Sequence, residues 1–197
     1  MSTRATAYFE SLYQQPDPFQ YRSRWYEARK RALTLASLPR QRYANGWELG
    51  CSNGVLTAAL AERCDALLAT DISAQALADA AVSVQSFPHV TLQQAVHPAA
   101  WPPGRFDLIV VSEMGYYLET PALQEMGRRL EMSLSEDGLL LACHWRHPFD
   151  EAPSATTDVH RLLSGSLVEA FTYQDDDMLL QGWSRQATSV ARWEGLR

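Results

Sequence analysis

The run Phe106-Asp107-Leu108-Ile109-Val110-Val111 constrains the fold more than any other stretch of this chain. It is nearly all apolar, and a strand so poor in polar surface must be covered on both faces, as in the centre of a sheet sandwiched between helices. The surrounding sequence alternates to match. Trp47-Glu48-Leu49 reads as a first strand, Val55 to Glu62 as a helix, Ala66 to Thr70 as a second strand and Ala74 to Val84 as a helix. Val90 to Ala95 follows as a third strand, the apolar run as a fourth, Pro121 to Leu134 as a helix and Leu139 to His144 as a fifth strand. Repeated strand-then-helix units with right-handed crossovers build a parallel sheet. Beyond Pro148 the pattern weakens to a polar loop, a short helix near Val159, and strands around Val168 to Tyr173 and Met178 to Trp183, with Asp175-Asp176-Asp177 as the hairpin turn.

The first 40 residues differ in texture. They hold Arg4, Arg22, Arg24, Arg29, Lys30, Arg31 and Arg40, seven of the 17 basic side chains, among many aromatics. Trp25, Ala28, Ala32, Leu35 and Ala36 recur at helical spacing, Pro39 ends the pattern, and Gln15-Pro16-Asp17-Pro18 breaks the chain before it. The expectation is one domain over 1–197, a helical cap at 1–40 on a core at 45–197, with the aromatics of the cap helix turned to the core.

Composition limits the function. Seventeen Lys and Arg against 23 Asp and Glu leave a net charge of −6, which argues against a nucleic-acid binder and suits a small neutral or cationic substrate. Three Cys without C-x-x-C spacing form neither a disulfide framework nor a zinc ribbon, so Cys51, Cys64 and Cys143 read as small buried apolar residues of a reducing compartment. Met1 to Tyr13 has no apolar run of signal-peptide length and no stretch approaches a membrane span, so the expected location is cytoplasmic with no membrane partner. Oligomeric state is not readable.

The turn after the first strand, Glu48-Leu49-Gly50-Cys51-Ser52-Asn53-Gly54, opens a helix and lets backbone N–H groups approach a ligand. A dinucleotide fingerprint would need glycine at 50, 52 and 55, where the chain has Gly50, Ser52 and Val55. The pattern E-x-G-x-x-x-G is complete, and Asp71 follows Gly50 by 21 residues at the end of the second strand, placed to accept both hydroxyls of a ribose. Asp71 could instead cap the next helix, but Ser73 can do that and leave it free.

These residues resemble class I S-adenosylmethionine-dependent methyltransferases. More narrowly, Tyr26-Glu27 with Lys30, Glu48 to Thr57, Arg63-Cys64-Asp65, Trp101-Pro102, Phe106 to Leu118 and His144-Trp145-Arg146 resemble the NodS family of nodulation N-methyltransferases, over about residues 8 to 165. The resemblance implies a three-layer Rossmann-like fold, a mainly parallel seven-stranded sheet with an antiparallel last strand. It implies S-adenosylmethionine as cofactor, S-adenosylhomocysteine as product, and N-methylation of an amino sugar or oligosaccharide amine. Cofactor contacts are then expected at Glu48, Gly50, Cys51, Ser52, Gly54, Asp71, Ile72, Ala95, Val96 and Ser112, with Tyr26 and Lys30 reaching the carboxylate or sulfonium end from the cap. Two positions depart from the pattern. Ser52 stands for the middle glycine, and Gln94-Ala95-Val96 places Val96 where relatives often carry an Asp for the adenine amino group.

At the ends of the fourth and fifth strands, Glu113 and His144 are the candidate catalytic groups. Glu113 can orient an ammonium and accept its proton, and His144 has an ordinary pKa suited to proton uptake. Tyr116, Tyr117, Trp145 and Arg146 are the candidate acceptor contacts. The alternatives are a solvent-exposed acid at Glu113 and a backbone-satisfied histidine at His144. H-x-x-H at His144 and His147 lacks the Glu and the helix of a zinc motif, so no metal is expected. The competing functions are a small-molecule O-methyltransferase and a non-catalytic S-adenosylmethionine-binding module.

Overall fold

The computed structural model describes residues 3–186 and 189–197. Two helices, α1 (Thr3–Leu12) and α2 (Trp25–Ser37), precede the sheet. The core then runs β1 (Tyr43–Leu49), α3 (Val55–Ala61), β2 (Cys64–Asp71), α4 (Ala74–Ser83), β3 (Val90–Gln94) and β4 (Phe106–Ser112). It continues through α5 (Thr120–Ser133), β5 (Leu134–Trp145), α6 (Thr156–Ser164), β6 (Val168–Gln174) and β7 (Met178–Ser184), with a last turn of helix, α7, at Val190–Trp193. The seven strands form one sheet in the order β3-β2-β1-β4-β5-β7-β6. Strands β1 to β5 pair in parallel, and β7 lies antiparallel between β5 and β6.

Strand β4 is covered twice, as its composition requires. Ile109 and Val111 pack with Trp47, Leu49 and Leu140 beneath α5 and α6, while Leu108 and Val110 pack with Leu139 and Leu141 on the face that carries α2 and α3. The one polar residue of the run, Asp107, accepts the backbone N–H groups of Ala44 and Asn45 at 2.8 Å each, so its charge is spent on starting β1. Because β1 leads outward to β2 and β3 on one side and neighbours β4 on the other, a crevice opens past the carboxyl ends of β1 and β4, where such sheets bind ligands.

Three elements differ from the sequence expectation. Helix α1 escaped it: the break at Gln15 to Pro18 masked a short helix whose Phe9 is buried, with Tyr13 buried just beyond its end. Strand β5 begins at Leu134 rather than Leu139, because Glu136-Asp137-Gly138 forms an irregularity inside the pairing with β4 instead of a separate turn. Helix α2 has its bounds as expected but the opposite face inward: Glu27, Lys30 and Thr34 are buried, while Trp25 is 76% exposed. The polar face is turned in because it has charged partners at the end of β4. Among the described residues no helix is long and apolar enough to cross a membrane.

Helices α5 and α6 meet at Gly127, where an added Cβ would lie 2.1 Å from the carbonyl oxygen of Leu162. A backbone atom cannot yield as a flexible side chain can. Gly127→Ala gains about 1 kcal/mol of helix propensity but incurs an overpacking cost of about 1–3 kcal/mol. The expected result is a net loss of stability in urea unfolding; a stabilised variant would show that the two helices separate freely.

Candidate active site

The turn after β1 is built from left-handed backbone. Gly50, Ser52 and Gly54 have φ of 73°, 50° and 75°. At Gly54 a Cβ would stand 2.8 Å from Ala80 Cα, and at Gly50 one would stand 3.0 Å from Met114 Cβ, so both glycines are required by close approach as well as by φ. Ser52 occupies a conformation costly for an L-residue. Two bonds hold it there: its N–H donates to Asp71 Oδ2 at 2.8 Å, and its Oγ accepts the Tyr13 hydroxyl at 2.6 Å.

Asp71 ends β2 with its carboxylate against that turn. Its second oxygen accepts the Ser73 N–H at 2.9 Å, while Ser73 caps α4 by accepting from Ala76 N. Burial raises the Asp71 pKa against the backbone N–H groups that lower it. Of the roughly four lone-pair positions of a carboxylate these bonds use only part, leaving acceptor capacity toward the cavity that Asp71 lines. Glu10 of α1 completes this corner, accepting from Ser73 Oγ and Ala74 N at 2.9 and 2.7 Å.

A cavity of about 550 Å³ spans the carboxyl edge of the sheet. Gly50, Ser52, Asp71, Ile72 and Ala95 line its β1–β3 end; Glu113, Tyr116, Tyr117, Trp145 and Phe149 line its β4–β5 end; Ser112 lies between and Tyr26 and Glu27 face it from α2. The rings at the β4–β5 end meet edge to face, Tyr116 with Phe149 at 4.9 Å and Tyr26 with Trp145 at 5.1 Å between centroids. A smaller cavity adjoins it beside Glu48, Cys51, Lys30 and Asn53. Glu48 is 2% exposed, its Oε2 has no hydrogen-bond partner among the described residues, and burial pushes its pKa up to about 8.

The cap joins the core through a buried charge cluster. Lys30 Nζ lies 2.8 Å from both Glu27 Oε2 and Glu113 Oε1. Burial alone would lower the lysine pKa, but the two carboxylates hold it above its ordinary value. Glu113, at φ 55°, also accepts the Tyr116 hydroxyl at 2.5 Å and the Trp145 backbone N–H at 3.0 Å. Its place at the cavity is as expected, but three donors occupy it, which makes it an orienting group rather than a free base. Lys30 is likewise shared between two carboxylates, while it also lines the smaller cavity.

Other expectations need correction. His144 does not reach the cavity: it is fully buried, its Nε2 accepts the Gly115 N–H at 3.0 Å, and its Nδ1–H therefore donates to His160 Nε2 at 3.0 Å. His160 in turn donates from Nδ1 to Gln181 Oε1 at 2.8 Å. Burial depresses both histidines, His160 to about 4, so the pair is a neutral brace under the Glu113 loop. Arg146 is not a lining residue either; its guanidinium holds the carbonyls of Asp175 and Asp176 in the β6–β7 hairpin. Val96 packs beside Phe9, Tyr13 and Ile72, and His97, which the sequence reading passed over, lines the cavity in its place. His97 sits against Trp47 and Trp101, and burial brings its pKa down to about 4. Gly54 supports the turn without lining either cavity. His144 and His147 do not share a site, for His147 is 3.1 Å from Asp177 at the surface. The cap aromatics Tyr8, Phe9, Tyr13, Phe19 and Tyr21 also line the cavity, and the sequence pattern singled out none of them.

A family model described as nodulation protein S, NodS, matches residues 7–146. The chain belongs to the NodS family. Among solved structures it is similar to a putative methyltransferase from Pseudomonas syringae, 47% identical, covering 82% of this chain and 100% of that one with a TM-score of 0.73. It is also similar in fold to the N-methyltransferase NodS from Bradyrhizobium japonicum WM9 in complex with S-adenosyl-L-homocysteine, 24% identical, with 90% and 96% of the two chains covered and a TM-score of 0.80. An S-adenosylmethionine-dependent methyltransferase from Clostridium acetobutylicum shares the fold at 12% identity and a TM-score of 0.65, over 91% and 98% of the chains. No match is found among curated protein sequences. Family and fold together make the chain a methyltransferase with the Rossmann-like architecture.

Two outcomes follow from the buried charges. Glu48 binds its proton more tightly folded than unfolded, so its contribution is present at acid pH and is lost as pH rises from its ordinary range through about 8. Glu48→Gln should flatten the fall of the thermal midpoint between those limits; an unchanged slope would mean that Glu48 is ionised in the fold. Lys30→Met leaves two buried carboxylates uncompensated and should cost about 3–5 kcal/mol in urea unfolding, whereas a loss near zero would show the cluster to be solvated.

Proposed function

We propose that the chain N-methylates a primary amine with S-adenosylmethionine as donor, the acceptor being an amino sugar or other small amine-bearing molecule. The observation that carries this reading is the two-ended cavity. One end has a glycine-turn cradle and a buried strand-end carboxylate, and the other is walled by aromatic rings beside Glu27 and Glu113.

The residues present fit the donor. Asp71 retains acceptor capacity for ribose hydroxyls, the Gly50 turn admits a ligand against its backbone, and Ile72, Ala95 and His97 offer surfaces for an adenine. When bound, S-adenosylmethionine supplies a methyl group made electrophilic by the positive sulfur. The protein's own work is to hold donor and acceptor about 3–3.5 Å apart in line, and to exclude water. Tyr116 is fixed for this by the bond from its hydroxyl to Glu113, and the Trp145 backbone by the bond from its main-chain N–H to the same carboxylate. Glu113 is fixed through Lys30, and the His144–His160 pair holds the Gly115 N–H beneath it. The excess of acid over base at the acceptor end favours an amine over a neutral hydroxyl.

Calorimetry should show S-adenosylhomocysteine binding far more tightly than NAD, and Asp71→Ala should weaken it by about 1–3 kcal/mol, the range for hydrogen bonds to a charged group. Because Asp71 also holds the Ser52 turn, some stability will be lost with it. Equal affinity for the product in wild type and variant, or tighter binding of NAD, would overturn the donor assignment.

A further inference from the structure

We infer that Glu27 of α2 is the carboxylate that binds the ammonium of the acceptor and takes its proton, an assignment that rests on the amine-methylating reading above. The sequence offered Glu113 for that task. The two acids share Lys30 and both line the main cavity, but their surroundings differ. Glu113 receives Lys30, the Tyr116 hydroxyl and the Trp145 N–H. Glu27 is 7% exposed and receives Lys30 at Oε2; among the described residues no other hydrogen bond reaches it.

The charge count points the same way. Two carboxylates against one ammonium leave one negative charge in the buried cluster. Arg31, the other cation near Glu27, acts on it only through its charge: its Nη1 donates to the Tyr21 carbonyl at 2.8 Å, and among the described residues it makes no ion pair with Glu27. Arg24, the one cation lining the main cavity among the described residues, is exposed and bonded to Gln20. A cationic ligand therefore completes the cluster. Tyr26, next in the chain, lines the same cavity with a buried hydroxyl that has no hydrogen-bond partner among the described residues, and its ring meets that of Trp145 edge to face. This supplies a hydrogen-bond acceptor and aromatic faces, both of which suit an ammonium. Burial raises the proton affinity of Glu27 over that of an ordinary carboxylate, in the direction a base for an amine needs. In the step itself one N–H bond of the ammonium breaks, its proton bonds to Glu27 Oε1, and the electron pair remains on nitrogen as the nucleophile. The proton passes to solvent when the site opens, and no other reagent is consumed.

The test is calorimetry on the full chain saturated with S-adenosylhomocysteine, using glucosamine and benzylamine as probes and N-acetylglucosamine and benzyl alcohol as their uncharged counterparts. At least one amine should bind and its counterpart should not. Glu27→Gln should weaken that amine about tenfold or more while the affinity for S-adenosylhomocysteine changes little. Glu27→Asp keeps the pair with Lys30, and with it the fold, but withdraws the carboxylate by one methylene; it should weaken the amine less than Glu27→Gln does. The inference is overturned if neither amine binds, if the uncharged counterparts bind as well, or if both variants bind the amine as wild type does. It is also overturned if the variants lose S-adenosylhomocysteine instead, since the ammonium recognised would then be the cofactor's own. Failure of wild type to bind S-adenosylhomocysteine at all would bring down the methyltransferase reading, a result separable from each of these.

Discussion

The ion cluster of Glu27, Lys30 and Glu113 is the constraint on which the rest of the site depends. Removing three charges from water is expensive, and the cost is offset only if each finds partners at close range. That requirement turns α2 polar face inward, leaves Trp25 in solvent, and brings the cap onto the end of β4. It also explains the strained backbone at Glu113. With φ at 55° the residue meets Lys30, the Tyr116 hydroxyl and the Trp145 N–H, so one carboxylate aligns cap, loop and strand end together.

Much of this was legible in the residues because the relevant signals are local. The apolar run at 106–111 required cover on both faces and has it. E-x-G-x-x-x-G with Asp71 placed a tight glycine turn against a strand-end carboxylate at the end of β1, and Ser73 caps α4 as its spacing suggested. What could not be read was the outcome of competition between distant groups. Helical spacing in α2 marked Trp25, Ala28, Ala32, Leu35 and Ala36 as the inner face, but a charged partner 83 residues away outweighed that stripe. His144 had the right address at the end of β5, yet its orientation depends on Gly115 and His160, which no periodicity links to it. Val96 and His97 differ by one position at a strand end, where a single residue exchanges inside for outside.

Ser52 shows how a departure from a glycine pattern is accommodated. An L-residue in the left-handed region costs about 1–2 kcal/mol, comparable to the net value of one or two good hydrogen bonds. The bonds to Asp71 and from Tyr13 are of that number, so the turn keeps its shape and gains an attachment to the cap that glycine could not make.

Those attachments are long in sequence. Tyr13 reaches 39 residues to Ser52, Lys30 reaches 83 to Glu113, and Arg29 reaches 144 to Tyr173 on the hairpin. Each joins the N-terminal segment to an edge of the sheet that lies far along the chain, so these contacts close long loops. The middle of the chain supplies the sheet, whereas the cavity's walls are drawn from both the first helices and the strand ends, so a change in the cap reshapes the cavity as directly as a change at the sheet edge.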